Sequence, residues 1–145
     1  SYNFGQQNPV RVARTIRLAL KTALGCGIFF FAATLVFNHQ IVGLFIDKSY
    51  QAYDIAVNGI PYFAVGYLFF ALNIVGIGYY QSIERARRAT VITLFRGTLF
   101  MLAGFLLLPP VLGVRGIWLA VPLAELLTLL LIIGIYLKDS FAVRR

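Results

Sequence analysis

The sequence predicts an all-α membrane protein with four transmembrane helices, and three observations predict it. Apolar residues make up 60% of the chain and charged residues only 12%, against roughly half and a quarter in soluble domains. The apolar residues gather in four runs, each close to the roughly 20 residues that cross a hydrocarbon core at about 1.5 Å per residue. The basic residues gather in the gaps between those runs. A soluble domain of this length needs more charge to cover its surface, whereas helices facing lipid do not.

The four runs are residues 18–37, with Lys21 near the start; 55–80, with no charge; 91–112, with Arg96 near the start; and 116–137, with Glu125 near the middle. Inside lipid every backbone N–H and C=O must be paired within the segment unless a barrel closes, so each run is read as a helix. The chain divides into a cytoplasmic loop (1–17), the four-helix transmembrane region (18–137) and a cytoplasmic tail (138–145).

Charge then sets orientation. Arg11, Arg14, Arg17 and Lys21 open the first run. Arg85, Arg87, Arg88 and Arg96 lie between the second and third runs or just inside the third. Lys138, Arg144 and Arg145 follow the fourth. Only Lys48 and Arg115 occupy the other two connections. The positive-inside rule therefore places both ends and the central connection in the cytoplasm, with the chain in the inner (plasma) membrane. An even number of spans independently requires both ends to share a side.

The second run carries Asn58, Pro61, Asn73, Gly76 and Gly78, and the fourth carries Pro122 three residues before Glu125. Each proline removes an N–H, leaving the carbonyls of Val57 and Trp118 without their usual partners. The resulting bends serve packing in the favoured reading and act as hinges in the other. Gly25, Gly27, Gly97 and Gly104 offer sites of close helix approach.

Glu125 is the most informative residue. It lies about nine residues into its run, roughly 14 Å deep. A carboxyl there must find water, a partner or a proton, which suits a proton carrier or cation site as well as a packing role. Arg96 lies about 8 Å from the nearer membrane edge. Its stem is long enough to snorkel outward, the favoured reading, although antiparallel helices would also bring it within reach of Glu125. Asn73, with Thr34 and Tyr67 as further polar candidates, can bond across helices or offer oxygens to a substrate or cation. Glu125, Asn73, Tyr67 and Arg96 are the candidate pathway residues. Tyr79, Tyr80, Trp118 and Tyr136 lie near span ends and read as an interfacial belt.

Several classes are disfavoured. Cys26 is the sole cysteine and His39 the sole histidine, so neither a disulfide framework nor a metal-ligand cluster is expected. No cofactor is called for, and His39 reads as a loop residue. No serine stands in a histidine–carboxylate arrangement and no glycine-rich phosphate loop precedes a helix, so an enzyme is not expected. The net charge of +8 is explained by membrane orientation, not by nucleic acid. The basic, Gly-Gln-Gln-Asn-Pro-containing start is not a signal peptide. Beginning at Ser1, the sequence is expected to be the tail of a longer protein.

Several short runs then resemble one family in order. Ser1-Tyr2-Asn3-Phe4-Gly5 with Arg11-Val12 and Arg14 resembles a cytoplasmic loop of multidrug and toxic compound extrusion (MATE) transporters. Tyr79-Tyr80-Gln81-Ser82-Ile83 with Arg85-Ala86-Arg87 resembles the ending of that family's tenth helix. Gly116-Ile117-Trp118-Leu119-Ala120 with Pro122 and Glu125 resembles the entry to the last core helix, and Leu108-Pro109-Pro110 with Gly113 resembles the outer turn that precedes it. The resemblance implies helices nine to twelve of a twelve-helix transporter, in the C-terminal six-helix lobe, with an N-terminal lobe of the same protein as partner. It further implies exchange of small organic cations for H+ or Na+ across the bilayer. In the NorM branch the tenth helix carries an acid, and the resemblance puts Asn73 at that place. Neutral Asn73 puts coupling there in doubt, and coupling through the other lobe, as in DinF-like members, is the alternative. A lipid-linked oligosaccharide flippase of the same superfamily is a second reading, disfavoured because only Lys21 and Arg96 supply cations within the spans. A non-transporting membrane assembly subunit is the third.

Overall fold

The computed structural model describes residues 9–143. The Ser1–Gly5 run, Arg144 and Arg145 lie outside the described residues. Among those described, the chain is helices joined by short turns: α1 (Pro9–Val36), α2 (Asn38–Gly43), α3 (Gln51–Ala64), α4 (Gly66–Ser82), α5 (Ala86–Leu94), a π-helical segment (Phe95–Phe100), α6 (Met101–Leu112) and α7 (Val114–Val143).

Three helical stretches are long and apolar enough to cross a membrane: Val10–Val36, Ala86–Leu112 and Val114–Asp139. The pair Gln51–Ala64 and Gly66–Ser82, bent by 41°, passes the same test when taken together as one broken span, which brings the number to four. The expected four-helix class is the observed one, with differences in the elements. α1 begins two turns before the apolar run at Pro9, where a proline is well placed because the first helical N–H has no intrahelical partner. The connection after α1 holds the short helix α2, and His39 lies on it, not in an irregular loop. The uncharged run expected as one helix over 55–80 is broken at Val65.

Pro61 lies inside α3, one turn before that break, and the structure shows what offsets its missing N–H. The carbonyl of Val57, deprived of the residue-61 N–H, accepts a 2.7 Å hydrogen bond from Asn38 Nδ2. Asn38 is buried and belongs to α2, so the short helix serves as the support that a proline-interrupted span requires. Asn38→Leu is expected to cost about 1–3 kcal/mol, the penalty for stranding a buried carbonyl. In the Pro61→Ala background, where residue 61 regains its N–H, the same substitution should cost much less. A double-mutant cycle on thermal denaturation of the whole protein in detergent measures this, and equal costs in both backgrounds would disprove the pairing.

α7 is the central element, packing against α3, α4, α5, the π segment and α6, while α1 lies outside and packs chiefly on α4. Two apolar clusters occupy opposite ends of the bundle. Ile77, Tyr80, Ile83, Ala89, Ile92 and Ile132 close the end near the α4–α5 turn. Val42, Tyr53 and Ala56, with Ile46, Val57, Ile60 and Trp118 against them, close the other. Tyr80 is only 1% exposed and Trp118 packs over Gly59. Tyr80 belongs to the interior, correcting the belt reading there, whereas Trp118 is half-buried at the bundle end and Tyr136 is exposed.

Of the four glycines expected at close approaches, Gly27 and Gly104 are found there. A Cβ on Gly27 would lie 3.0 Å from the Tyr67 carbonyl oxygen, and one on Gly104 would lie 2.9 Å from that of Ala120. Gly25 and Gly97 have open space at that position. The tightest backbone approach is at Gly116, immediately after the α6–α7 turn. That turn itself depends on Gly113, whose φ of 60° and ψ of −141° lie where a side chain is strained. In the α2–α3 connection, the Ser49 backbone N–H and hydroxyl both donate to Asp47 Oδ1. Together they hold that carboxyl below the usual carboxylate range.

Candidate functional site

Between the two apolar clusters lies a polar layer formed by three helices. α4 supplies Asn73, the π segment supplies Arg96 and α7 supplies Glu125. Asn73 Nδ2 donates to Glu125 Oε2 at 2.7 Å and to the Glu125 backbone oxygen at 2.8 Å. Arg96 donates through Nε to Oε1 at 2.9 Å and Oε2 at 3.1 Å, and through a terminal nitrogen to Oε1 at 2.8 Å. This is the forked geometry in which a planar guanidinium matches a carboxylate, and it makes the pair strong and directional.

Burial makes these contacts consequential. Asn73 is 0% exposed, and the side chains of Glu125 and Arg96 are 7% and 18% exposed. Neither charge has water enough to stabilise it, so each depends on the other. The Phe70 ring lies under the guanidinium, 4.7 Å from Cζ to the ring centroid, an added cation–π attraction. Arg96 therefore turns inward, correcting the snorkelling reading.

Local sequence explains how the three residues meet. Ala120 and Ala124 on α7 are 0% and 1% exposed, and their small side chains let α4 and α6 approach closely enough for the Asn73 amide to reach across. Arg96 sits in a π-helical segment, where the extra residue per turn shifts side-chain directions relative to an α-helix. Asn73 Oδ1 is buried and has no hydrogen-bond partner among the described residues. The layer thus holds one acceptor able to receive a donor or cation.

Tyr67, the fourth candidate, is not joined to this layer. It lies near the start of α4, edge-on to Phe63 with centroids 5.8 Å apart. The sequence reading missed Thr128, which is 0% exposed and donates its hydroxyl to the Ala124 carbonyl at 2.7 Å. Its signal was available: Thr128 is three residues beyond Glu125, on the same helix face. A separate cleft of about 480 Å3 opens beyond the apolar cluster on the α3 side. It is lined by Gln51, Asp54, Asn58, Tyr62, Arg115 and Trp118 among others.

Four apolar helical spans around a buried guanidinium–carboxylate–amide layer define a polytopic helical membrane protein. The MatE family model matches residues 1–106, nearly three-quarters of the chain. The chain belongs to the MatE family of membrane transporters, whose members are not enzymes. Asn73 and Arg96 fall inside the matched stretch, and Glu125 falls beyond it. No curated protein and no solved structure matches the chain.

Proposed function

We propose that the chain is the C-terminal part of a secondary active multidrug efflux antiporter, exporting small organic cations in exchange for H+ or Na+. The observation that carries this reading is the buried Asn73–Arg96–Glu125 layer. Ionisable groups within membrane spans are costly, and by default they mark transport pathways. The bent α3–α4 span beside the layer supplies an element whose two halves could change their angle, and the orphan Asn73 oxygen supplies an open acceptor.

In this reading Arg96 holds the place of a bound cation on Glu125, and an incoming proton or Na+ competes with it. Both ends of the chain face the cytoplasm of the inner membrane. The other lobe of the same protein completes the central cavity. The engagement of Arg96 by Glu125 also weighs against the flippase reading, because a pyrophosphate would need free positive charge.

The test is ethidium efflux from transporter-deficient cells expressing the whole protein, with proton and sodium gradients imposed separately. Efflux driven by one gradient is expected, and Glu125→Gln should reduce it while leaving membrane insertion intact. Gradient-independent efflux, or none from a well-inserted protein, would overturn the antiporter reading. Unchanged ion dependence in Glu125→Gln would remove that residue from the coupling step.

A further inference from the structure

At the end of the bundle near the α4–α5 turn, a groove of about 350 Å3 lies between α5 and α7, lined by Arg87, Arg88, Val91, Ile135, Lys138 and Asp139. Its composition changes along the helix axes. Arg87 and Arg88 lie a turn before Val91 on α5, and Lys138 and Asp139 lie a turn after Ile135 on α7. The groove therefore runs from a charged mouth at the helix ends to an apolar floor toward the membrane.

Its charges are unbalanced. Asp139 is already engaged, by Arg85 at 2.6 Å and by Arg88. Arg87 and Lys138 are exposed and form no ion pair among the described residues. Two cations at the mouth are thus left for an external anion, while Asp139 keeps Arg88 turned toward the groove.

We infer that this groove binds the headgroup phosphate of an anionic phospholipid, with Arg87 and Lys138 holding the phosphate and an acyl chain lying along Val91 and Ile135. Basic pockets between transmembrane helices at the membrane surface are suited to acidic headgroups. The apolar floor selects a lipid over a free phosphate ion, which would gain nothing from Val91, exposed on the helix surface. This inference concerns a surface distinct from the Asn73–Arg96–Glu125 layer and stands independently of the transport mode.

The test is native mass spectrometry of the whole protein released from nanodiscs of mixed phosphatidylglycerol and phosphatidylcholine. The wild type should retain phosphatidylglycerol in preference to phosphatidylcholine. R87Q/K138Q should weaken that retention on the order of thirty-fold, since each cation near an anionic headgroup contributes a factor of about five. The charge-keeping variant R87K/K138R should retain the lipid, which separates loss of charge from loss of fold. K48Q/R115Q, at the other end of the bundle, should leave retention unchanged. Equal phosphatidylglycerol retention by wild type and R87Q/K138Q would overturn the site. Displacement of the lipid by millimolar inorganic phosphate would overturn the lipid assignment in favour of a free phosphate ligand.

Discussion

Replacing Glu125 by alanine is expected to destabilise the whole protein by about 3–5 kcal/mol, because it leaves the Arg96 guanidinium buried without a counter-charge. The forked contacts at 2.8–3.1 Å are all lost in one substitution, and so is the acceptor for Asn73 Nδ2. Arg96→Ala should cost a comparable amount for the converse reason. The double substitution Arg96→Met with Glu125→Met is expected to recover most of the loss, since two apolar side chains of similar length remove both desolvation costs at once. Thermal unfolding in detergent, arranged as a double-mutant cycle, measures the coupling. Additive single effects would mean that the two groups do not depend on each other. Transport gives a second readout, because the apolar double variant should be folded yet unable to couple an ion at this layer. Stability regained together with full gradient-driven efflux would assign the pair to architecture alone.

Substituting Gly116 should have the next largest effect. A Cβ there would lie 2.5 Å from the carbonyl carbon and oxygen of Leu108 and 2.7 Å from the nitrogen of Pro109. These are backbone atoms, and Pro109 and Pro110 stiffen that stretch of α6, so no side-chain rotation relieves the clash. Gly116→Ala is expected to cost about 1–3 kcal/mol, the usual range for overpacking, and Gly116→Leu more. Because α6 and α7 are joined by a turn hinged on Gly113, the expected consequence is a splayed hairpin that also displaces Arg96 from Glu125. Gly97→Ala serves as the control. It has nothing within 4 Å of its Cβ position, and it should be neutral or stabilising by about 0.5–1 kcal/mol through helix propensity. Melting temperatures of the two variants side by side decide the point, and equal behaviour would refute the close approach.

The sequence by itself determined the class of the protein and the apolar runs from which its spans are built, because bilayer thickness converts run length into helix length. It also singled out three of the residues that form the polar layer, because an acid, an arginine and an asparagine inside apolar runs have few ways to be satisfied. Pro61 and its stranded carbonyl at Val57 were legible too, since the loss of a proline N–H is a local covalent fact.

Only the tertiary structure decided which group answers each need. Asn38 reaches Val57 from a helix that no apolar run announces. Arg96 meets Glu125 and does not snorkel, because a π-helical segment and the small Ala120 and Ala124 set directions and distances that spacing along one helix does not carry. Tyr67 shares α4 with Asn73 yet lies against Phe63. Gly116, not Gly97, marks the closest backbone approach. The physical reason is common to all four: the membrane fixes what each segment must be, while the pairing of polar groups and small residues across helices depends on bend, rotation and depth, which arise only when the helices pack together.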